Sequence, residues 1–493
     1  MVGSDPLMRL NLDCALHILS YLHLDDVVRC ERVSTYWRDI ARSWMGKTGD
    51  SLPWTLPSSG DKCKVAAIKR FRYGAEWEAN LRRGRASSVR RFNSAVSFYR
   101  AQQGCIAASG DFIACDSDEG LVWQSLSLND DGSILPPKAV EVPGFSFGTE
   151  LHHDQVSHLQ LNDDGCLLFR ARTHRSNSPA VRDRVICLKS GEELWKQDID
   201  HPDWSSQPDL VPLLIGKERV YYTRTSEPTH YLLAYEFRTG KLAYEVPTDC
   251  SLSKNDPNQL VELIRDKGEE FIVNLSQRTS PCDLTIYDGG SGCAIEKCEY
   301  QGLCRFTLTT VPNTGTFTLM ADVSKSRFKI LLRFSRQSKD SFLCVGREGL
   351  SWERGHSKDD EFAVDPSTLF MVSFQQKRPI PKVWKLVECT DPELRDIVNE
   401  ALLEGGASDI RVNWCWKPTE PQEIDLPPGP KGKKRRQFQV PSGSLGSNPW
   451  FLDRRHIAIH MHTNEMRMSG REMRHSAYKG IYLFDFTPRK RRA

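Results

Sequence analysis

Ile186-Cys187-Leu188-Lys189-Ser190-Gly191-Glu192-Glu193-Leu194-Trp195 has the same shape as Leu233-Ala234-Tyr235-Glu236-Phe237-Arg238-Thr239-Gly240-Lys241-Leu242-Ala243-Tyr244. Each reads as an apolar strand, a tight turn containing glycine, and a second strand bearing an aromatic residue, the pattern of a β-hairpin. Weaker versions surround Gly292 between Leu284 and Ile295 and Gly349 between Leu343 and Trp352, and an early one runs from Gly120 to Trp123. The turn glycines 191, 240, 292 and 349 are 49, 52 and 57 residues apart, close to blade periods of about 40 to 50 residues with loop insertions.

Upstream of each hairpin lies another β-rich pair, as in 156–171, 211–223 and 260–275, so each repeat can supply about four strands. Seven such units are expected, at 104–128, 156–199, 210–246, 259–300, 303–353, 362–390 and 449–487. The hairpin resembles the outer-strand signature of quinoprotein-like and WD-type β-propellers, although the Gly-His and Trp-Asp dipeptides of a good WD repeat are missing. The resemblance implies a seven-bladed β-propeller over 95–487, in which the terminal strand Gly480–Phe486 pairs with early strands to close the ring and remove sheet edges. A sandwich or a split double domain is the competing arrangement of the same short strands.

One insertion, 391–448, interrupts the pattern. Asp391-Pro392-Glu393 opens a helix with a cap, a first-turn proline and an acidic first turn; Leu394, Ile397, Val398, Ala401 and Leu402 form its apolar stripe, and Gly405-Gly406 ends it. The stretch from Lys417 to Pro449, with Pro427-Pro428-Gly429-Pro430 and Ser/Gly spacing, reads as a mobile loop. It carries Lys433, Lys434, Arg435 and Arg436, which with the basic tail 488–493 match the short basic runs used for nuclear import.

The N-terminal residues read differently. Asp13 is the expected cap of a helix with apolar stripes at Leu12, Leu16, Leu19 and at Ile18, Tyr21, Leu22; Asp25 and Ser34 are the expected caps of two more, the last carrying Trp37 and Ile40. A unit of about 40 residues rarely closes a core unaided, which leaves an apolar face for a partner. These residues, 7–50, resemble an F-box, although Leu10-Asn11 stands where the family usually has Leu-Pro. The resemblance implies a small all-α, three-helix domain that docks a Skp-family adaptor, and through it a cullin scaffold, using Leu10, Leu16, Ile18, Leu19, Leu22, Val28, Val33 and Trp37. The chain is then a non-catalytic substrate receptor of an SCF-type ubiquitin ligase, with an unknown protein substrate on the propeller. The alternative is a nuclear or cytoplasmic propeller scaffold that assembles no ligase.

Between the two lies a basic helical linker, 51–94; the window 61–100 holds eleven Lys or Arg and three acidic residues. No aromatic-Gly motif or helix-turn-helix accompanies the charge, so basic side chains snorkelling around an apolar stripe are favoured over a nucleic-acid surface. A hydrophobic content of 39% with 12 Trp supports a large core, and the net charge of +3 selects no partner. No run of about 18 apolar residues marks a membrane span, and Arg9, Asp13 and His17 interrupt any leader, pointing to an intracellular protein in nucleus, cytoplasm or both.

Fifteen cysteines without a Cys-x-x-Cys pair read as reduced thiols. The loose set Cys282, Cys293, Cys298 and Cys304 lacks metal-site spacing, and His456, His460 and His462 read as one polar strand face. No nucleophile elbow, phosphate loop, zinc helix or dinucleotide fingerprint is present. No catalytic residue, metal or cofactor is assigned.

Overall fold

A computed structural model describes residues 10–48 and 64–94 and, from 106 to 486, the elements named below with their turns; longer stretches outside it are 126–135, 148–154, 174–179, 201–209, 352–360 and 425–443. Lys433, Lys434, Arg435, Arg436 and the tail 488–493 lie outside the described residues.

Four helices open the chain: α1 (Leu12–Ser20), α2 (Leu24–Cys30), α3 (Thr35–Thr48) and α4 (Lys64–Arg82). Strands follow: β1 (Ser88–Ser94), then β2 (Ile106–Ser109), β3 (Phe112–Ser117), β4 (Gly120–Ser125) and β5 (Lys138–Ala139) as one sheet. The next sheet is β6 (Gln155–Leu161), β7 (Cys166–Thr173), β8 (Ala180–Cys187) and β9 (Glu193–Asp200). A third is β10 (Leu210–Ile215), β11 (Arg219–Ser226), β12 (Thr229–Glu236) and β13 (Leu242–Thr248), and a fourth is β14 (Gln259–Asp266), β15 (Glu269–Ser276), β16 (Cys282–Asp288) and β17 (Ala294–Tyr300). All four are antiparallel meanders in chain order.

A nine-stranded sheet comes next. It contains β18 (Leu303–Val311), β19 (Thr316–Val323), β20 (Lys329–Ser338), β21 (Ser341–Leu350), β22 (Glu361–Asp365), β23 (Phe370–Gln375), β24 (Arg378–Cys389), β25 (Trp414–Pro418) and β26 (Gln422–Glu423), with α5 (Pro392–Gly405) between β24 and β25. β25 joins two meanders, pairing parallel with β21 and antiparallel with β24. The last sheet, β27 (Ser444–Phe451), β28 (His456–Ser469) and β29 (Glu472–Asp485), takes β1 as its fourth strand.

The body is thus a large all-β domain of propeller-like blades, and its hydrogen bonding separates six sheets among the described residues. Apolar clusters lie between successive sheets. On β7, Leu167 and Phe169 pack toward the β2–β5 sheet, while Cys166 and Leu168 pack toward β10–β13. On β11, Tyr222 faces back toward β7 and Tyr221 faces forward toward β14–β17. Strands buried on both faces read in sequence as unbroken apolar runs, which is why these segments lack alternation.

The repeated turn is a structural identity. The N–H groups of Gly191, Gly240 and Gly292 donate to Cys187, Glu236 and Asp288 carbonyls at 2.8, 2.8 and 2.7 Å. Those residues in turn donate to the carbonyls of Glu192, Lys241 and Cys293 at 2.9 Å in all three. The glycines have φ of 73°, 72° and 76°, in the left-handed region where a Cβ is unfavourable. Gly349 differs from the expectation: it lies inside β21, whose turn is at 339–340, and a Cβ there would meet Cys415 Sγ at 2.7 Å.

Other expectations shift. β25 and β26 run into the stretch expected as a loop from Lys417 onward, because they pair with β24 and β25 also with β21, and β27 begins at Ser444, before that loop's expected end. Ser88–Ser94, read as linker, pairs Ser88 with Asp485 and Asn93 with Gly480, the expected closure of the terminal strand. α5 keeps its predicted end signals, as Asp391 accepts from Glu393 N–H at 3.0 Å and Gly406 ends it at φ 90°; of its expected stripe Val398, Ala401 and Leu402 are buried, whereas Ile397 is exposed.

Candidate functional site

The N-terminal helices are placed by local chemistry. Asn11 Oδ1 accepts from Cys14 N–H at 2.8 Å and caps α1, so the residue that replaces the family proline starts the helix itself. Asp13, the expected cap, lies in the first turn, where its charge faces the helix N-terminus. His23 precedes α2 without a side-chain cap, and Asp25 is again a first-turn acid. Ser34 Oγ accepts from Trp37 N–H at 3.2 Å, as its sequence position implies.

These helices close on Ala15, Leu19, Val27, Cys30, Ile40, Ala41 and Met45, and the core is completed by Phe71 and Ala75 of α4. Trp44 meets Phe71 edge-on with ring centroids 5.4 Å apart. Ion pairs reinforce the seam. Arg72 donates to Glu31 oxygens at 2.6, 2.7 and 3.1 Å and Arg42 at 2.9 Å; Arg82 reaches Asp25 at 2.8 Å. Burial alone would raise the Glu31 carboxyl, but hydrogen bonds and charge from Arg72 and Arg42 hold it below the ordinary carboxylate range. Part of the linker's basic character is therefore used inside the protein.

α4 also enters the β body. Trp77 and Leu81 pack with Phe370, Val372, Val383, Ile424, Ile457, Phe484 and Phe486, while Asn80 Nδ2 donates to the Phe486 carbonyl at 3.3 Å. Lys385 reaches buried Glu78 at 3.3 Å. One helix is thus shared by both cores, with Phe71 and Ala75 in one and Trp77 and Leu81 in the other.

The residues expected to meet an adaptor fall into three groups. Leu10, Ile18 and Val33 are exposed, at 38%, 41% and 63% of their surface. Leu16, Leu22, Val28 and Trp37 are half-buried against the helical core. Leu19 is fully enclosed in the helical core where α1 packs on α3, and so its surface serves the core. Leu12 and Tyr21, read as stripe residues but not among the adaptor-facing set, are exposed at 49% and 77%, the first on α1 beside Ile18 and the second at its C-cap. Their signal was present as apolar residues beyond what one core-facing stripe requires. Glu31 and Asp25 were missed because their partners lie 41 and 57 residues away.

On β28, His456, His460 and His462 share a strand, but their side chains lie outside the described residues. Of the loose cysteine set, Cys282 is buried and Cys293 exposed; among the described residues no three His, Cys, Asp or Glu gather as metal ligands. No helix of the described residues is long and apolar enough to cross a membrane.

Known structures are similar to parts of the chain at low identity. Hydrazine synthase of Kuenenia stuttgartiensis is 10% identical, with 66% of this chain and 89% of that chain covered, at a TM-score of 0.37. The Dos1 propeller is 12% identical over 79% and 95%, with a TM-score of 0.36. Hsv2 of Kluyveromyces lactis is 10% identical over 66% and 100%, with a TM-score of 0.30. No curated protein matches the chain. Residues 12–44 match the F-box-like family model, so the chain carries an F-box-like domain, joined through α4 to a body of propeller-like blades.

Proposed function

We infer that this chain is a non-catalytic substrate receptor of an SCF-type cullin ubiquitin ligase. Its F-box-like helices dock a Skp-family adaptor through Leu10, Ile18 and Val33, with Leu16, Leu22, Val28 and Trp37 at the margin, and the adaptor brings a cullin. The propeller body holds a protein substrate near a ubiquitin-charged partner, so the rate gain comes from proximity. The observation that carries this reading is a run of exposed apolar residues, Leu12, Ile18, Tyr21 and Val33, on a unit whose own core is already closed. The body is read as seven blades, with the nine-stranded sheet counted as two. What supports the count is that β18–β21 and β22–β24 are each antiparallel meanders, the second taking β25 as its outer strand.

Full-length protein incubated with a recombinant Skp-family adaptor and cullin should retain both. Ile18→Asp and Val33→Asp should lower adaptor capture by at least about tenfold, as expected for a charge placed in a desolvated apolar contact. Unchanged capture by both variants overturns the assignment. Capture of the adaptor without the cullin favours the scaffold that assembles no ligase.

A further inference from the structure

The three equivalent turns end β8, β12 and β16 with Cys187, Glu236 and Asp288. In the second, Thr239 Oγ1 donates to Glu236 Oε2 at 3.0 Å; in the third, Ser291 Oγ donates to Asp288 Oδ2 at 2.6 Å. Ser190 is the corresponding hydroxyl of the first turn, three residues after Cys187 as Thr239 follows Glu236 and Ser291 follows Asp288, and its Oγ accepts from the Glu192 N–H at 3.3 Å. A position occupied by a carboxylate in two repeats is occupied by a thiol in this one, with a hydroxyl residue three positions on in all three. Burial would push the Cys187 thiol up, but hydrogen bonding by Ser190 and the Lys189 backbone, with the nearby Lys189 charge, brings it below the ordinary thiol value.

A second cysteine faces it. Cys166 of β7 is the direct cross-strand partner of Cys187 on β8. The backbone groups of both point away from each other: Cys187 exchanges with Glu192 and Gly191, and Cys166 with Asn162. The two therefore form a non-hydrogen-bonded pair, in which antiparallel Cα atoms approach to about 4.5 Å, inside the range a disulfide spans. Cys187 is half-buried and reachable, whereas Cys166 is buried, and burial together with the neighbouring Cys187 raises its thiol.

We propose that Cys187 and Cys166 form a peroxide-responsive thiol pair, Cys187 attacking the oxidant and Cys166 resolving it as a reversible disulfide. The Cys187 thiolate attacks the O–O bond of hydrogen peroxide, a proton is taken up, and water leaves a sulfenic acid. The Cys166 thiol then attacks that sulfur, its proton departs with the hydroxide as a second water, and the S–S bond closes. Two electrons pass from the sulfurs to the peroxide.

Full-length protein treated with hydrogen peroxide should lose two hydrogens in intact mass, regain them with dithiothreitol, and yield a Cys166–Cys187 linked peptide. C166S should leave a Cys187 sulfenic acid that dimedone traps, and C187S should leave Cys166 unreacted. With both cysteines present, Ser190→Ala should slow iodoacetamide alkylation of Cys187 about tenfold near neutral pH, the loss of one hydrogen bond to a charged group, and move its pH profile upward. Circular dichroism of each variant separates this from unfolding. A Cys187 that alkylates no faster than exposed Cys293, or a Cys187 linked to any other thiol, overturns the proposal.

Discussion

At the residue scale, buried charges set large single effects. Arg170 and Asp183 are 5% and 0% exposed, joined at 2.7 Å, and Tyr222 Oη donates to the same carboxylate at 2.8 Å. Asp183→Ala would leave a guanidinium and a phenol buried without their acceptor, and chemical denaturation should show a loss of about 3 to 5 kcal/mol. Glu31 makes a smaller and pH-dependent contribution, because its arginines are partly exposed and solvent screens them. Its carboxyl is depressed in the folded protein, so its stabilisation is complete at neutral pH and disappears as pH falls below the ordinary carboxylate value. Melting curves should therefore show wild type more stable than Glu31→Gln at pH 7 and the two converging in acid. Neither pairing was readable from the sequence. Arg170 and Asp183 are 13 residues apart on neighbouring strands, and only the β7–β8 register brings them together.

At the element scale, two helices carry different kinds of information. α1 was legible as a helix, but its cap moved from Asp13 to Asn11, since either short polar residue can serve and only the backbone at Asn11, with φ −65° and ψ 159°, adopts the cap conformation. Asn11→Ala should cost about 1 kcal/mol of helix stability and weaken adaptor capture without abolishing it, as a titration of the adaptor would show. α4 was legible as a basic helix with an apolar stripe, yet its role as a shared wall was not. Its two ends bury Phe71 and Trp77 in separate cores, and a period of apolar residues does not say how many cores they enter. Trp77→Ala should lower stability by about 3 to 5 kcal/mol and increase hydrogen exchange at the α4 contact with β23, β24 and β29, while the F-box-like core keeps its protection.

At the scale of the whole molecule, closure depends on the first and last strands of the β body meeting. β1 supplies the fourth strand of the β27–β29 sheet, and Phe484 and Phe486 complete the cluster beneath α4. Truncation after Lys479 removes all the β1 partner residues except Lys479, together with those aromatics, so it should give a protein with a lost or strongly lowered thermal transition and exposed apolar surface, measured by calorimetry and dye binding. The repeat of hairpins, the helical N-terminal unit, the α5 signals and the strand character of the terminal segment were all determined by the sequence itself, because turns, caps and periodicity act over a few residues. Tertiary structure alone decided that Leu19 is core while Tyr21 is exposed, that residues 414–423 join two meanders, that α4 belongs to two cores, and that Cys166 faces Cys187. Those outcomes depend on which distant surfaces meet and on strand register, and no local propensity encodes either.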